Sequence, residues 1–553
     1  MFLCELTASA ADAATFCVHT TAAQHCVGTS EPDLQTALDA AKTAPNDTHR
    51  NRVMVGSPGP APVSGYSYNT PNPTTNPVDV VGAGQGTTTL TYSGSSPAAV
   101  LMMNGDGSSV SSLRIFIPGE QDGTGLSLSG GSATGILVTS PGPQATAYLT
   151  AVNLMPPSTA SGPRRSFTRS EVELPRTGSG IQVPVSAAGA VVVSDDVIVG
   201  QNTNGALTFG GAPAGYPKRA TARRVRATVV PQSGAGAVGL LVANGAEVNA
   251  DNLSVSIAGG GGSDEGALVG TNSLGQVSRL NLNHASFYGN ADAASSPGSY
   301  GVYTSSNGGT ATANVRNSII RNFFYGTFRF ADGAGSVANV RYDYSDYDVL
   351  HKITSNSSGG TGTVSNGTGN LDIINPLWLN PAAGDFRIPA TSPVINSGDP
   401  ARLKLLTESA TDVLGRPRIS NHRRDMGAVE FQFPPPRLRL LTGEFDPTNG
   451  KVRLPARCKQ PATDTCRFKL KLKATLKRKV NGHTKKKKVT LSLAGSAAGG
   501  RMKTLTAKLP AKVLPFVAGR SKLKLAASGT VTDNEAAVAK VTGKVTLKAG
   551  LIP

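Results

Sequence analysis

Acidic side chains at two places in the sequence have a spacing that suits acid–base or ion-binding chemistry. At the first place, Asp195 and Asp196 follow a short apolar run. Hydrolysis of a glycosidic bond needs two carboxyl groups roughly 5–9 Å apart on one face. Adjacent strand residues point to opposite faces, so this pair meets that need only if the chain turns there. Catalysis by the pair is therefore a minor hypothesis beside an ordinary surface role.

The second place is a short run in which aspartates alternate with tyrosines. Asp346 and Asp348 are predicted to share one face of a strand. Tyrosine rings suit sugar binding, and closely spaced carboxylates suit Ca²⁺, although the metal ligands stay open. The alternative is a solvated coil that binds nothing. The candidates are Asp343, Asp346 and Asp348 for catalysis or ion binding, and Tyr342, Tyr344 and Tyr347 for glycan binding.

Other catalytic and metal-binding patterns are missing from the sequence. The seven histidines have neither the His-x-x-x-His nor the cysteine-paired spacing of a zinc site. The sequence contains no Gly-x-Ser-x-Gly, P-loop or dinucleotide-binding motif. Asp264 and Glu265 follow four glycines and are predicted to form a loop tip. Apart from Ca²⁺ at the aspartate cluster, no cofactor is predicted.

A repeating strand pattern is expected to position these residues. A glycine followed by a short apolar run recurs, and several of the spacings are roughly 25 to 35 residues, about one or two coils of a solenoid. A second segment, often with a central Asn, follows each run. Asn at a coil corner tolerates left-handed geometry and bonds to its stacked copy. The alternative, an array of β-sandwiches, predicts hairpin turns instead. The recurring glycines are Gly135, Gly180, Gly239, Gly266 and Gly301.

The beginning of the chain has a helix followed by strands. Ser30 is predicted to cap a helix that places Leu34, Leu38 and Ala41 on one face. Short apolar strands follow at 53–56 and 78–84. This order resembles the opening of pectate-lyase-like proteins, in which a helix covers the open end of the first coil. The resemblance implies a right-handed parallel β-helix, which we expect to span residues 14–433.

Residues 371–431 contain the most specific motifs of the chain. They include Asn-Pro-Leu-Trp at 375–378, Ser-Pro-Val-Ile-Asn-Ser-Gly-Asp-Pro at 392–400 and Asp-Met-Gly-Ala-Val-Glu-Phe at 425–431. This segment resembles the C-terminal segment of bacterial surface β-helix proteins of the choice-of-anchor Q type. One departure is Asn396, where that pattern usually has Asp. The departure weakens the case for an ion at that position.

Positive charge is concentrated in the last part of the chain. The net charge is +18, but residues 437–553 carry 27 Lys and Arg against 5 Asp and Glu, whereas residues 1–436 carry 26 against 30. Apolar residues alternate with lysines from Phe468 to Lys477, and Asn481-Gly482 marks a hairpin turn. We therefore predict a small, basic, immunoglobulin-like β-sandwich at 437–553, after a proline linker at 434–436.

The lysines of this module are predicted to bind an anionic polymer. The candidates are Lys469, Lys471, Lys473, Lys485, Lys486, Lys487 and Lys488. A nucleic acid is not the expected partner, because aromatic side chains that stack on bases are scarce in the module. The alternative is that the lysines only keep the protein soluble and protect the sheet edge.

The cysteines indicate where the protein works. Two close pairs, Cys17 with Cys26 and Cys458 with Cys466, are predicted to form short-loop disulfides. Cys4 lies in residues 1–13, which we interpret as a remnant or atypical export leader because Ala-Asp-Ala at 11–13 is a cleavage pattern. Paired cysteines favour an oxidising compartment, and the alternative is a cytosolic protein with free thiols. No stretch is apolar enough to span a membrane.

Together these patterns predict an all-β protein, secreted or at the cell surface. A right-handed parallel β-helix is followed by a small immunoglobulin-like β-sandwich, and a monomer is expected. The predicted function is binding of a polysaccharide or cell-envelope polymer. The alternative is a polysaccharide lyase or glycoside hydrolase that acts on acidic polysaccharide. The missing catalytic set favours binding over catalysis.

Overall fold

The structure, a computed structural model, describes most of the chain in two compact units. Unit 1 comprises residues 1–419 and 423–431, and unit 2 comprises 420–422 and 432–553. Residues 1–12, and with them Cys4 and most of the predicted leader, lie outside the described residues, as do 434–435 of the predicted linker. The described residues are 13–552 without 21, 45–49, 71–75, 95–98, 119–121, 142–148, 157–164, 175–177, 185–190, 196–197, 200–204, 211–218, 231–235, 259–262, 290–296, 358, 402–407, 421–422, 433–435, 461–464 and 534–537.

In its described residues, unit 1 consists of short strands and one α-helix, α1 (Leu34–Thr43), with 3-10 turns at Ala22–Gln24 and Pro381–Ala383. Its strands in chain order are β1 (Thr15–Val18), β2 (Thr29–Glu31), β3 (Asn51–Val55), β4 (Tyr66–Tyr68), β5 (Val78–Gly82), β6 (Thr89–Leu90), β7 (Leu101–Met103), β8 (Ser109–Phe116), β9 (Gly123–Ser129), β10 (Ser132–Thr139), β11 (Leu149–Met155), β12 (Arg165–Thr168), β13 (Glu171–Glu173), β14 (Gly178–Pro184), β15 (Val191–Ser194), β16 (Ile198–Val199), β17 (Gly205–Gly210), β18 (Arg219–Val229), β19 (Ala237–Ala243), β20 (Glu247–Ile257), β21 (Asp264–Thr271), β22 (Val277–Gly289), β23 (Tyr300–Asn307), β24 (Thr310–Arg316), β25 (Ile319–Arg321), β26 (Tyr325–Asp332), β27 (Val337–Asp343), β28 (Asp346–Tyr347), β29 (Lys352–Ser357), β30 (Thr361–Asn366) and β31 (Leu371–Asp372).

These strands form two long parallel sheets. One sheet has 11 strands, from β4 to β29, and the other has 20. In the described part of the unit every strand pairs in parallel with the equivalent strand of the next coil, as β18, β20 and β22 do over ten residues. Alternate apolar side chains fill one continuous core between the sheets. This is the predicted parallel β-helix, and the predicted fold class is confirmed.

From the coil of β8 onward, one residue per described coil has a left-handed backbone at the corner within the 20-stranded sheet. The strand registers on both sides place these residues directly above one another. Asn is favoured there because its short amide tolerates positive φ, and the predicted stacking of Asn side chains is present in the neighbouring row, where Asn314 donates to Asn281 and Asn281 to Asn249, each at 2.9 Å. The corner residues include Ser112, Gly135, Arg169, Asp195, Arg224, Asn252, His284, Asn317 and Tyr344.

Helix α1 packs on the first coils, as predicted. Its apolar face, which includes Leu34 and Leu38, is fully buried. The N-cap differs from the prediction. Ser30 lies in β2, and the carboxylate of Asp33 accepts a hydrogen bond from Thr36 N at 2.8 Å. A helix here shields the apolar side chains of an open solenoid end.

Residues 375–431, which we call the cover segment, lie across the outer surface of the 20-stranded sheet. Ser256 donates to the carbonyl of Ala382 at 3.1 Å, and Ala428 N donates to Ser286 Oγ at 2.9 Å. The corner residue Asn252 donates to Thr411 O at 2.7 Å. Contacts of this kind hold the cover segment on the β-helix, and one of them comes from the motif at 425–431.

Unit 2 is a single sheet of eight strands that folds around its own apolar core. All of its pairings in the described residues are antiparallel except that of β33 with β39. Both predicted disulfides are present, with Cα–Cα distances of 6.0 Å for Cys17–Cys26 and 5.7 Å for Cys458–Cys466. The elements of unit 2 are β32 (Leu438–Leu440), β33 (Gly443–Phe445), β34 (Lys451–Cys458), β35 (Thr465–Val480), β36 (His483–Ala498), β37 (Met502–Lys508), a 3-10 turn (Ala511–Val513), α2 (Leu514–Val517), β38 (Lys522–Thr532) and β39 (Val538–Ala549). None of the helices in the described ranges combines the length and hydropathy of a membrane span.

Candidate functional site

The first predicted acidic pair lies at the coil corner. Asp195 has a φ of 71°, so the chain turns there, and its carboxylate pairs with the guanidinium of Arg224. Arg224 also donates to Thr411 Oγ1 of the cover segment at 3.1 Å. Asp196 lies outside the described residues. Asp195 is thus part of the contact between the corner and the cover segment.

The predicted tyrosine surface is wrong for two of its three rings. Tyr342 and Tyr347 have no exposed area, and their rings stack inside the β-helix with centroids 3.7 Å apart. Alternation placed them on the inward face, so neither offers a ring face to a glycan. Burial raises the pKa of both phenols. Tyr344 is the left-handed corner residue, and it is half-buried beneath the guanidinium of Arg316, 5.8 Å from the ring centroid.

The three aspartates of the same run do not form one site. Asp343 pairs with Arg341 at 2.8 Å, a hydrogen bond that lowers the pKa of its carboxyl, and Asp348 contacts His351 Nδ1 at 2.6 Å. Asp346 is fully buried, and burial raises its pKa from 3.8 to about 6. In the described part of the chain no three such side chains converge to hold a metal ion. The cluster therefore does not build the Ca²⁺ site that its spacing indicated.

The acidic pair after the four glycines is also placed differently from the prediction. Asp264 and Glu265 begin strand β21 and are buried, so they are not a loop tip. Glu265 accepts a hydrogen bond from Ser263 Oγ at 2.5 Å, and burial raises the pKa of its carboxyl to about 7. In the strand register Glu265 is the neighbour of Tyr300 on the next coil.

Tyr300 belongs to an aromatic patch that was not predicted from the sequence. Its half-buried rings lie on the outer face of the 11-stranded sheet and stack from coil to coil, with centroids 4.8 Å apart for Tyr300–Phe328 and 4.7 Å for Tyr303–Phe328. Tyr325 stacks on Tyr300 at 5.9 Å. The patch offers apolar ring surface beside phenolic hydroxyls. Its signal in the sequence was the 25-residue register between Tyr300 and Tyr325.

Unit 2 carries a broad positive surface, which we call the cationic face. Strands β36, β35, β38 and β39 lie side by side, and their inward residues, such as Leu470 and Leu525, form the core. The residues between them point outwards and are exposed. The basic residues of the cationic face are Arg467, Lys469, Lys471, Lys473, Lys477, Lys479, Lys486, Lys488, Lys522, Lys524, Lys540, Lys544 and Lys548.

The cationic face contains only some of the predicted lysines. Lys469, Lys471 and Lys473 are on it, as predicted. The run from Lys485 to Lys488 is split because alternate residues of a strand point to opposite faces. Lys486 and Lys488 join the cationic face, whereas Lys485 and Lys487 pair with Arg478 and Leu476 on the opposite face.

Small hydroxyl side chains separate the lysines of the cationic face. Lys471 has Ser492 and Ser528 as its neighbours on the two flanking strands. Neighbouring strands are about 4.8 Å apart and alternate residues about 7 Å apart, so the ammonium groups form a regular, open array. The outward positions of these four strands include no Asp or Glu among the described residues.

Unit 1 also has a cavity of about 370 Å³, at the edge of the cover segment. Its floor is Arg226 and Ser254, neighbours in the parallel register of β18 and β20. The residues of the cover segment that surround it are Ala383, Gly384, Asp385, Phe386, Arg387, Val413, Leu414 and Val429. Residues 384–387, Gly-Asp-Phe-Arg, contribute four of these lining residues. Nothing in the sequence placed this motif opposite Arg226.

Comparisons with known proteins add little to this description. No protein-family model matches the chain, so the resemblance of residues 371–431 to the choice-of-anchor Q segment is not supported. No curated protein matches the chain either. One solved structure that is similar is the tailspike protein of Acinetobacter phage vB_ApiP_P1, with 8% sequence identity, 94% of this chain and 83% of that chain covered, and a TM-score of 0.22. The fold assignment accordingly depends on the strand pairing described above.

Proposed function

We propose that this protein is an exported glycan-binding protein that attaches to anionic polysaccharide or cell-envelope polymer. The observation that carries the proposal is the cationic face. Its basic side chains occupy four adjacent strands, are exposed, and have no carboxylate among them in the described residues. A surface of this kind attracts a polyanion along its whole length.

The geometry of the cationic face favours a polymer over a small anion. Each exposed ammonium contributes little by itself, because water and salt screen it. A flexible chain with repeated negative charges engages many lysines at once, and the contributions add. Lys477 and Lys486 lie directly opposite each other, and so do Lys522 and Lys548. A bound polyanion relieves the repulsion within these like-charged pairs.

The side chains between the lysines favour carbohydrate over nucleic acid. Ser492, Ser528 and Thr490 supply hydroxyls that bond to sugar hydroxyls. The outward positions of these strands carry no aromatic ring for base stacking in the described residues. Two disulfides support an oxidising compartment, where extracellular glycans are the abundant polyanions.

A pair of matched triple variants tests the proposal. Binding of the full chain to polygalacturonate is measured over a range of salt concentrations. Replacement of Lys469, Lys471 and Lys473 by Gln is expected to weaken binding by about a hundredfold, on the basis of about 1 kcal/mol per lysine at an anionic surface. The control replaces Lys451, Lys503 and Lys508, which are exposed on β34 and β37, with the same change in net charge.

The outcome of this comparison decides the proposal. We expect the control triple to bind nearly as the wild type does, because its lysines lie outside the cationic face. Equal losses in both triples would mean that net charge alone is responsible, and the assignment to the cationic face would be wrong. Tighter binding to DNA than to polygalacturonate in the same salt would contradict the choice of carbohydrate.

A further inference from the structure

We propose that the cavity at the edge of the cover segment is a second binding site, for a single sugar acid such as galacturonic acid. The site lies in unit 1 and uses none of the lysines of the cationic face. It therefore goes beyond the function proposed above, and the two proposals fail independently.

Hydrogen bonds to the β-helix and within the cover segment fix both walls of the cavity before any ligand binds. On one side, Ser256 holds Ala382, and Asp385 N donates to Asn380 O at 2.8 Å. On the other side, the carboxylate of Asp412 accepts from Leu414 N at 2.9 Å. Asn252 anchors the start of this wall at Thr411. A preformed site loses little conformational entropy on binding.

Arg226 in the floor supplies the group that selects an anion. Its side chain is half-buried, lines the cavity and forms no ion pair within the described residues. A ligand carboxylate in the cavity gives this guanidinium a charge-assisted partner. Ile198 lies beside Arg226 on the neighbouring strand, and Glu171 lies beside Ile198 on the strand after that. Glu171 is thus the nearest acidic residue along this row of outward side chains, two strands away from Arg226.

The walls supply groups for hydroxyls and for a carbon ring. Arg387 and Asp385 form a bidentate pair, at 2.8 Å for Nε–Oδ1 and 2.6 Å for Nη2–Oδ2. The pair is neutral as a whole, and it still offers donors and acceptors to sugar hydroxyls. Val413, Leu414 and Val429 form an apolar surface for the C–H face of a ring.

The combination of these groups points to a sugar acid. Inorganic phosphate or acetate would bind to Arg226 but would leave the apolar wall of the cavity exposed to water. A neutral sugar would use the walls and leave the guanidinium of Arg226 without an anionic partner. A ring with hydroxyls and one carboxylate uses all three, and about 370 Å³ lies within the size range of small-molecule sites.

Calorimetric titration of the full chain tests the proposal, with galacturonic acid, glucose and acetate as the probes. We expect saturable binding of galacturonic acid in the millimolar range, and binding of glucose and acetate at least about tenfold weaker. Arg226→Gln should lose about tenfold in affinity for galacturonic acid. Arg219→Gln is the matched control, because Arg219 lies on the same strand and is exposed. Its affinity should equal that of the wild type.

A second variant separates the apolar wall from the charge. Leu414 is 37% exposed, so Leu414→Ala leaves the fold in place. It is expected to weaken galacturonic acid binding and to leave the weak binding of acetate unchanged. The proposal is overturned if the wild type shows no saturable binding, if Arg226→Gln binds as the wild type does, or if acetate binds as tightly as galacturonic acid. Loss of polygalacturonate binding in the triple lysine variant has no bearing on these results.

Discussion

His284 of the β-helix and Glu408 of the cover segment are 124 residues apart in the sequence, and His284 Nε2 lies 3.0 Å from Glu408 Oε1. Both side chains are almost completely buried. Arg424 donates to the same carboxylate, with Nη2 2.7 Å from Oε2. Burial alone would raise the pKa of Glu408, but the hydrogen bonds from His284 and Arg424 outweigh it and keep the pKa low. The result is an ionised carboxylate that joins the corner residue His284 of the β-helix to the cover segment.

Removal of this charge should loosen the cover segment. Glu408→Gln leaves the buried guanidinium of Arg424 without its carboxylate, and we expect the free energy of unfolding to fall by about 3 kcal/mol. Trp378, the single tryptophan, lies in the cover segment against Phe386, so urea denaturation followed by its fluorescence reports the effect. Glu247→Gln is the control, since Glu247 pairs with the exposed Arg219 and should cost at most about 1 kcal/mol. Equal costs would contradict the interpretation.

Acid should lower the stability of the folded chain through His284. Burial, and then the charge of Arg418, lower the pKa of His284 from 6.5 to about 4. The unfolded chain therefore takes up a proton below pH 6.5 that the folded chain takes up only near pH 4, and stability is lost as the pH falls through this window. The loss from this group is about 3 kcal/mol at most.

The variant His284→Asn removes the titrating group and retains a side chain that accepts the φ of 52°. We expect it to be less stable than the wild type at pH 8, because the bond to Glu408 is lost, and to show a smaller decrease between pH 6.5 and 4. Urea denaturation at several pH values measures both. A decrease as large as that of the wild type would assign the acid sensitivity to other groups.

Asp346 should behave in the opposite way. Burial raises its pKa from 3.8 to about 6, so its ionisation opposes folding as the pH rises through that interval. Asp346→Asn retains the acceptor for Ile374 N, 3.0 Å away, and should stabilise unit 1 by up to about 3 kcal/mol at pH 8, with little effect at pH 4. Asp343→Asn is the control, because the pKa of Asp343 is lowered by Arg341. That variant should not stabilise the protein at pH 8.

The stacked glycines of the coils should tolerate no side chain. A Cβ on Gly301 would lie 2.2 Å from Ile320 Cγ2 and 2.7 Å from Gly326 O. Gly301→Ala is expected to lower the melting temperature of unit 1 by several degrees, at a cost of about 2 kcal/mol from overpacking. Gly270→Ala, where a Cβ meets nothing within 4 Å, should leave it nearly unchanged. Similar melting temperatures for the two variants would argue against close packing at Gly301.

The sequence predicted the features that depend on nearby residues. Cys17 and Cys26 are nine residues apart, and the Gly–strand rhythm at Gly239, Gly266 and Gly301 repeats with each coil, so both are visible as local patterns. Alternation alone does not say which face of a strand is inside. That is why Tyr342 and Tyr347 were expected on the surface and lie in the core.

The contacts of the cover segment depend on long separations and were not predicted. Arg418 bonds to Asn252 from 166 residues away. Arg226 and Arg387 line one cavity although they are far apart in the sequence, and Ser256 holds the cover segment nearby at Ala382. No local pattern encodes which outer row of the β-helix a later loop will cover. The candidate cavity therefore could not be predicted from the sequence, because the residues that line it are brought together only by the fold.

The position of the cover segment also has a consequence for the order of assembly. A chain made from its N-terminus completes the coils around Asn252, His284 and Asn317 long before residues 408–428 exist. Until then, the outward polar groups of these corner residues are hydrogen-bonded to water. The side chains of Ser286 and Ile319, which the cover segment later buries, are exposed to solvent. Docking of the cover segment is thus a late folding step. It joins residues that are far apart in the sequence, and such contacts form slowly. We expect a nascent chain that stops before residue 375 to be the form most in need of a chaperone.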